Sequence, residues 1–141
     1  MSAELALQGA IVTALKAVPA LAEALGGRVL DRVEEGETRP YLHLREFQGL
    51  DDGAECAGGS IDALEIFAGL DVWSDAVGKP EASRIAGLVR RALHYVPLAL
   101  AAPWALLEIA HRETVITDDG LLVRARMSFR ALVERIEPEE P

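Results

Sequence analysis

Three histidines, one cysteine and several acidic clusters are the residues whose chemistry could serve catalysis or metal binding. His43, His94 and His111 fall in different predicted elements, and none has a Cys, His or carboxylate at the short spacing of a zinc or iron site. They read as surface or interface side chains. A nucleophilic Cys56 would need an oriented base beside it, and Gly58-Gly59 makes its surroundings a poor platform for such placement. Asp51-Asp52-Gly53-Ala54-Glu55 has the composition of a calcium loop but lacks the alternating ligands and closing glutamate. Gly26-Gly27 follows a helical stretch rather than a strand, and no Lys-Ser/Thr follows Gly58-Gly59, so neither forms a phosphate cradle. No cofactor or metal is expected, and the chain is expected not to be an enzyme.

Two other sets point to contact rather than chemistry. Arg124, Arg126 and Arg130 share one face of an alternating run near the end of the chain. They could bind nucleic acid, cover apolar surface with their stems, or pair with carboxylates. Pairing within or between subunits is the preferred reading, because the chain holds 23 acidic residues and no aromatics interleave with the arginines. Tyr41, Phe67 and Trp73 lie on strand faces opposite aliphatic rows. If helices cover only one sheet face, these aromatics form a partner-binding surface; otherwise they pack against loops or the first helix. Together with Asp51, Asp52 and Glu55 they are the candidate interface residues.

The elements that would position these groups follow from periodicity. Ser2 is a plausible N-cap for a first helix with Leu5, Ile11, Val12, Leu15 and Val18 as its stripe. Pro19 restarts a short helical piece that Gly26-Gly27 ends. Residues 28–33 and 41–47 read as strands, with Leu42 and Leu44 on one face and Tyr41, His43, Arg45 and Phe47 on the other. Residues 48–60, with four glycines, read as a mobile loop. A long strand begins at Ile61 and puts Leu64, Ile66, Ala68, Leu70 and Val72 opposite Glu65, Phe67, Asp71 and Trp73. A helix from Pro80 turns Ala82, Ile85, Leu88, Val89 and Ala92 inward. Residues 104–116 and 121–134 form a hairpin around Asp119-Gly120, with His111 and Glu113 on the arginine face. Residues 137–141 are an acidic, frayed tail.

The expected architecture is a single α+β domain over residues 1–141. It has a mostly antiparallel sheet of four to five strands, two amphipathic helices packed on it, and the order α-β-β-β-α-β-β. A net charge of −9 argues against a general nucleic-acid binder and favours solubility. Glu4 and Lys16 interrupt the features of a signal peptide, and no window of ~18 apolar residues predicts a membrane span. A lone cysteine gives no disulfide, so the expected address is cytoplasmic.

Assembled in order, these segments resemble a family of phage tail completion proteins, the tail terminators or head-to-tail joining subunits of siphovirus-like phages and gene transfer agents. The resemblance rests on Glu4-Leu5-Ala6-Leu7-Gln8 leading to Gly26-Gly27-Arg28-Val29, on Arg39-Pro40-Tyr41-Leu42, and on Leu70-Asp71-Val72-Trp73-Ser74 followed by Gly78 and Glu81-Ala82. It extends through Asp118-Asp119-Gly120-Leu121 and the closing Arg126 to Ala131. Leu30, where the family often has an aromatic, and Glu34, where it has a nearby proline, depart from the pattern. The resemblance implies a ring subunit, six per ring, at the head-proximal end of the tail. Its partners would be copies of itself, the tail tube protein and the head connector, with DNA passing through the lumen without specific binding. It also implies assembly in a bacterial cytoplasm before incorporation into the particle. The alternative is a small binding module or assembly chaperone acting as a monomer.

Overall fold

The computed structural model describes residues 1–51 and 62–136. Asp52, Glu55, Cys56, Ile61, Gly58-Gly59 and the tail 137–141 lie outside the described residues.

Helix α1, Ala3–Lys16, begins where Ser2 Oγ accepts the Leu5 amide at 3.2 Å, with Glu4 in its first turn and Lys16 in its last. Its buried stripe is Ala3, Leu7, Ile11 and Leu15; Leu5, expected inside, is exposed. Pro19 has no amide to continue the helix, so it opens a second helix, α2, Pro19–Leu25, bent 93° from the first. No single helix among the described residues is long and apolar enough to cross a membrane. Gly26 stops α2 in the left-handed conformation, φ 57°, where a side chain would strain the backbone.

A five-stranded sheet follows, in the order β1-β2-β3-β5-β4. Strand β1 is only Val29–Leu30, shorter than the expected 28–33, and it runs parallel to β2. Strand β2, Tyr41–Asp51, is longer than expected: Gln48, Gly49, Leu50 and Asp51, assigned to a loop, pair with Phe67, Ile66, Glu65 and Leu64 of β3, Ala63–Ser74. The sheet neighbour supplies ladder bonds that local composition does not reveal. Helix α3, Pro80–Leu93, carries the chain over the sheet to β4, Trp104–Asp118, which lies parallel to β3 with one strand-width between them. The hairpin then returns β5, Val123–Arg135, into that gap, antiparallel to both neighbours. Apart from β1, every pairing is antiparallel.

The three helices cover one sheet face. Ile85, Val89 and Leu93 of α3, Leu21 and Leu25 of α2 and the α1 stripe meet Leu42, Leu44, Ile66, Leu70, Val72, Met127 and Phe129. Phe129 is the largest fully buried side chain. Each such side chain contributes about 1.5–3 kcal/mol on burial. Leu88, read as an inward residue, is only half-buried at the edge of this core. Alternation in β5 holds throughout: Val123, Ala125, Met127, Phe129, Ala131 and Val133 are buried. Leu121 instead belongs to the turn and is exposed.

Three bulges change which side chains share a face. Arg45 is the extra residue in β2, between Leu44 opposite Leu70 and Glu46 opposite Gly69. The extra residue shifts the alternation, so Phe47 returns to the helix side and packs on the core, against the strict period-two reading. In β4 the shifts fall at Leu107 and Arg112. The second separates two residues expected together: His111 opposes Phe129 on the helix side, while Glu113 opposes Ser128 on the open side.

Candidate interaction face on the open side of the sheet

The sheet face without helices is covered by its own long side chains. At its centre is Asp71 of β3, only 2% exposed although no helix lies over it. Arg45, projected by the β2 bulge, donates from Nε to Asp71 Oδ1 at 3.2 Å. Arg124 of β5 donates from Nε and Nη2 to Oδ2 at 3.1 and 2.6 Å. A buried carboxylate is tolerable only when its lone pairs are satisfied this way, so the cluster ties β2, β3 and β5 together. Gly69 makes it possible. A Cβ there would stand 2.7 Å from Arg45 Cζ, so only glycine leaves the guanidinium room to cross β3.

Flanking pairs extend the pattern. Arg45 Nη1 also meets Glu46 Oε1 at 2.5 Å, and Arg130 pairs with Glu65. The aromatics expected to be bare are roofed by guanidinium groups. Arg124 Cζ lies 5.2 Å from the Trp73 ring centroid and Arg112 Cζ 4.8 Å from that of Phe67, both within cation–π range. Tyr41, at the end of β2, is buried rather than presented. Asp51 is exposed at the other end of β2. Between these groups lies an open hollow of about 430 Å³, lined among others by Phe67, Gly69, Ser128, Arg126, Glu113 and Val115.

The arginine row is therefore divided. Arg124 and Arg130 are engaged with carboxylates of β3, whereas Arg126 is exposed and has no carboxylate partner among the described residues. Arg45 and Arg112 belong to the same face, and sequence reading did not single them out. Both sit in bulges, and the available signal was a charged pair (Arg45-Glu46, Arg112-Glu113) interrupting an otherwise alternating strand.

The other candidates resolve as structure. His94, the residue that ends α3, accepts the His111 backbone amide on Nδ1 at 2.9 Å, and His111 Nε2 meets Thr114 Oγ1 at 2.6 Å. Burial first, then the charge of Arg90 and the neighbouring His94, hold His111 below its ordinary pKa. His43 stands in another strand, opposite Asp71. Among the described residues no three His, Cys, Asp or Glu side chains are grouped to hold a metal. Asp118 and Asp119 carboxylates accept the amides of Gly120, Leu121 and Leu122, and Gly120 has φ 94°, so that acidic pair is turn chemistry. The amides of Leu122 and then Leu121 also hold the exposed Asp119 carboxyl below its usual range.

These features define a small α+β domain with a charged sheet face that no helix covers. The chain belongs to the tail completion protein gp17 family, which it matches over residues 9–134. It is similar to a chain in the virion of a native gene transfer agent particle, with 26% identity and a TM-score of 0.80, covering 95% of this chain and 99% of that one. It also shares the fold of the bacteriophage SPP1 gp17 protein, at 20% identity and a TM-score of 0.56, covering 99% of this chain and 94% of that one. No curated protein matches the chain.

Proposed function

We propose that this protein is a ring subunit at the head-proximal end of a phage-like tail, where it stops tube growth and joins tail to head. The observation that carries the reading is family membership over residues 9–134, reinforced by near-complete overlap with a chain from a gene transfer agent virion. Its partners are copies of itself, six in the ring, the tail tube protein and the head connector. Assembly takes place in the bacterial cytoplasm, and the finished address is the particle.

The chemistry of the open face suits contact rather than catalysis. Its titratable groups largely satisfy one another, leaving no pair among the described residues poised around a vacant reacting position. Exposed ion pairs contribute only about 0–1 kcal/mol each, so charge orients subunits while apolar burial supplies affinity. With most arginines of the face engaged by carboxylates and a net charge of −9, DNA can pass through the lumen without being gripped.

Sizing the purified chain alone and with purified tail tubes tests this. The expected result is a small species alone and a ring on tube ends when tubes are present. A chain that never associates with tubes overturns the reading. A chain that associates only as a monomer points instead to an assembly chaperone.

A further inference from the structure

We propose that one end of the sheet, where Val77 and Leu121 stand among Asp75, Asp118 and Asp119, seats in a hollow at the β4 edge of a neighbouring copy, beside Arg90 and Arg91. The inference rests on the ring reading and names the contact between its subunits.

The projecting end is built from two turns. Ser74 lies opposite Val123, and Val123 opposite Asp118, so the turn after β3 and the β4–β5 turn share one end of the sheet. Val77 is 100% exposed and Leu121 84% exposed, an unusual display of aliphatic side chains on a chain with ample core. Asp75, Asp118 and Asp119 are exposed around them, and Lys79 is the one cation in the two turns.

The receiving site is apolar with a basic border. A hollow of about 220 Å³, lined by Tyr95, Val96, Pro97, Leu107 and Ile109 among others, lies directly beyond the last turn of α3. Tyr95 donates its amide to Ile109 O at 2.8 Å and has φ 56°, a left-handed conformation that a bulky residue adopts at a cost. That conformation holds its ring against His94, with centroids 4.2 Å apart, yet 63% exposed. An exposed tyrosine beside an exposed leucine is a favoured anchor for a protein partner. Arg90 and Arg91 are exposed, and neither has an ion pair among the described residues. Glu108 is the one carboxylate lining the hollow. The charges acting on neighbouring His111 are those of Arg90 and His94, with no carboxylate among them. Aliphatics ringed by aspartates thus face an apolar hollow bordered by arginines, matched in both polarity and charge.

Reach decides that the two surfaces belong to different copies. Asp118 and Ile109 are ~30 Å apart along β4 at ~3.3 Å per residue, and both are held in the same sheet. A chain cannot place its own turns in its own hollow. Distinct surfaces that complement one another give a head-to-tail contact, the kind that closes rings.

The test is disulfide trapping between full-length chains whose one cysteine is removed by Cys56→Ser. One batch carries Leu121→Cys and the other Leu107→Cys, and circular dichroism checks that every variant is folded. Mild oxidation of the mixture should join the two positions faster than it dimerises either batch alone. The rate should fall with salt, and about tenfold with Arg90→Glu and Arg91→Glu in the Leu107→Cys batch. It should rise again when the Leu121→Cys batch also carries Asp75→Arg. Trapping no faster than with Ala22→Cys in place of Leu107→Cys, or undiminished by the reversed arginines, overturns the proposal. So does a main product that joins two copies through Leu121→Cys, the mark of a symmetric pair. Short duplex DNA that binds through Arg90 and Arg91 while no disulfide forms also overturns it. Assembly on tail tubes is scored separately. An arginine-reversed chain that still forms rings removes this contact and leaves the ring reading standing. Trapping by chains that never join tubes upholds the contact and removes the ring reading.

Discussion

Arg124 places two hydrogen bonds, from Nε and Nη2, on one oxygen of Asp71, across the β3–β5 junction of a sheet face that no helix covers. Arg45 takes the other oxygen from the β2 side, so one carboxylate fastens three strands. The same arrangement turns Arg124 toward the protein and leaves Arg126, two residues along, for the outside.

Arg124→Ala should therefore cost stability while Arg126→Ala should not. Breaking a buried ion pair typically costs 3–5 kcal/mol; with Arg45 still in place and Arg124 partly exposed, about 2–3 kcal/mol is expected. Arg126→Ala should stay within ~0.5 kcal/mol. Urea denaturation of both variants measures the difference, and equal losses would show that the Asp71 tie contributes little. Assembly defects are then readable at Arg126 without a folding defect, whereas charge reversal at Arg124 would set a second carboxylate beside Asp71.

Gly69→Ala should act through Arg45. The new Cβ displaces the guanidinium from Asp71, a loss of about 1 kcal/mol for a charge-assisted bond with partial compensation from Arg124. In an Arg45→Ala background the same substitution should be close to neutral. A double-mutant cycle with coupling below about 0.5 kcal/mol would contradict this.

Core substitutions should follow burial rather than helical spacing alone. Ile85→Ala should lose about 2–5 kcal/mol, and Leu88→Ala, half-buried at the margin, roughly half as much. Equal losses in thermal or urea melts would place Leu88 in the core.

The elements were legible where local pattern and tertiary context agree. The alternation of β5, the β3 faces, the Ser2 cap, the Pro19 restart and the Asp-Gly hairpin could all be read because each depends on neighbours within a few residues. What escaped depends on partners far along the chain. Gln48 and Gly49 look like loop yet are strand because β3 pairs with them; Arg45 and Arg112 are bulges because their strands must stay in register with β3 and β5. Those bulges decide the face. They bring Phe47 to the core, part His111 from Glu113, and send Arg45 to Asp71. The burial of Tyr41 was one of two open readings, because a period of two cannot distinguish a covered strand end from an open one.

Acid should weaken the protein through His111. Its folded-state pKa lies below the ordinary value of 6.5, chiefly through burial and secondarily through Arg90 and His94. The unfolded chain therefore binds a proton that the folded chain resists. Stability is full above pH 6.5 and falls as pH drops below it toward the folded pKa. Melting temperatures at pH 7.5 and 5.5 should differ by more in the wild type than in His111→Gln. The same difference in both would assign the acid sensitivity to other groups.

The central claim, that this chain ends the tail and joins it to the head, is tested most directly by electron microscopy of particles assembled without it. The account predicts unattached heads and tails, with tail lengths spread beyond the normal value. Adding back the purified chain should restore joined particles. Normal numbers of joined particles with uniform tails in its absence would contradict it.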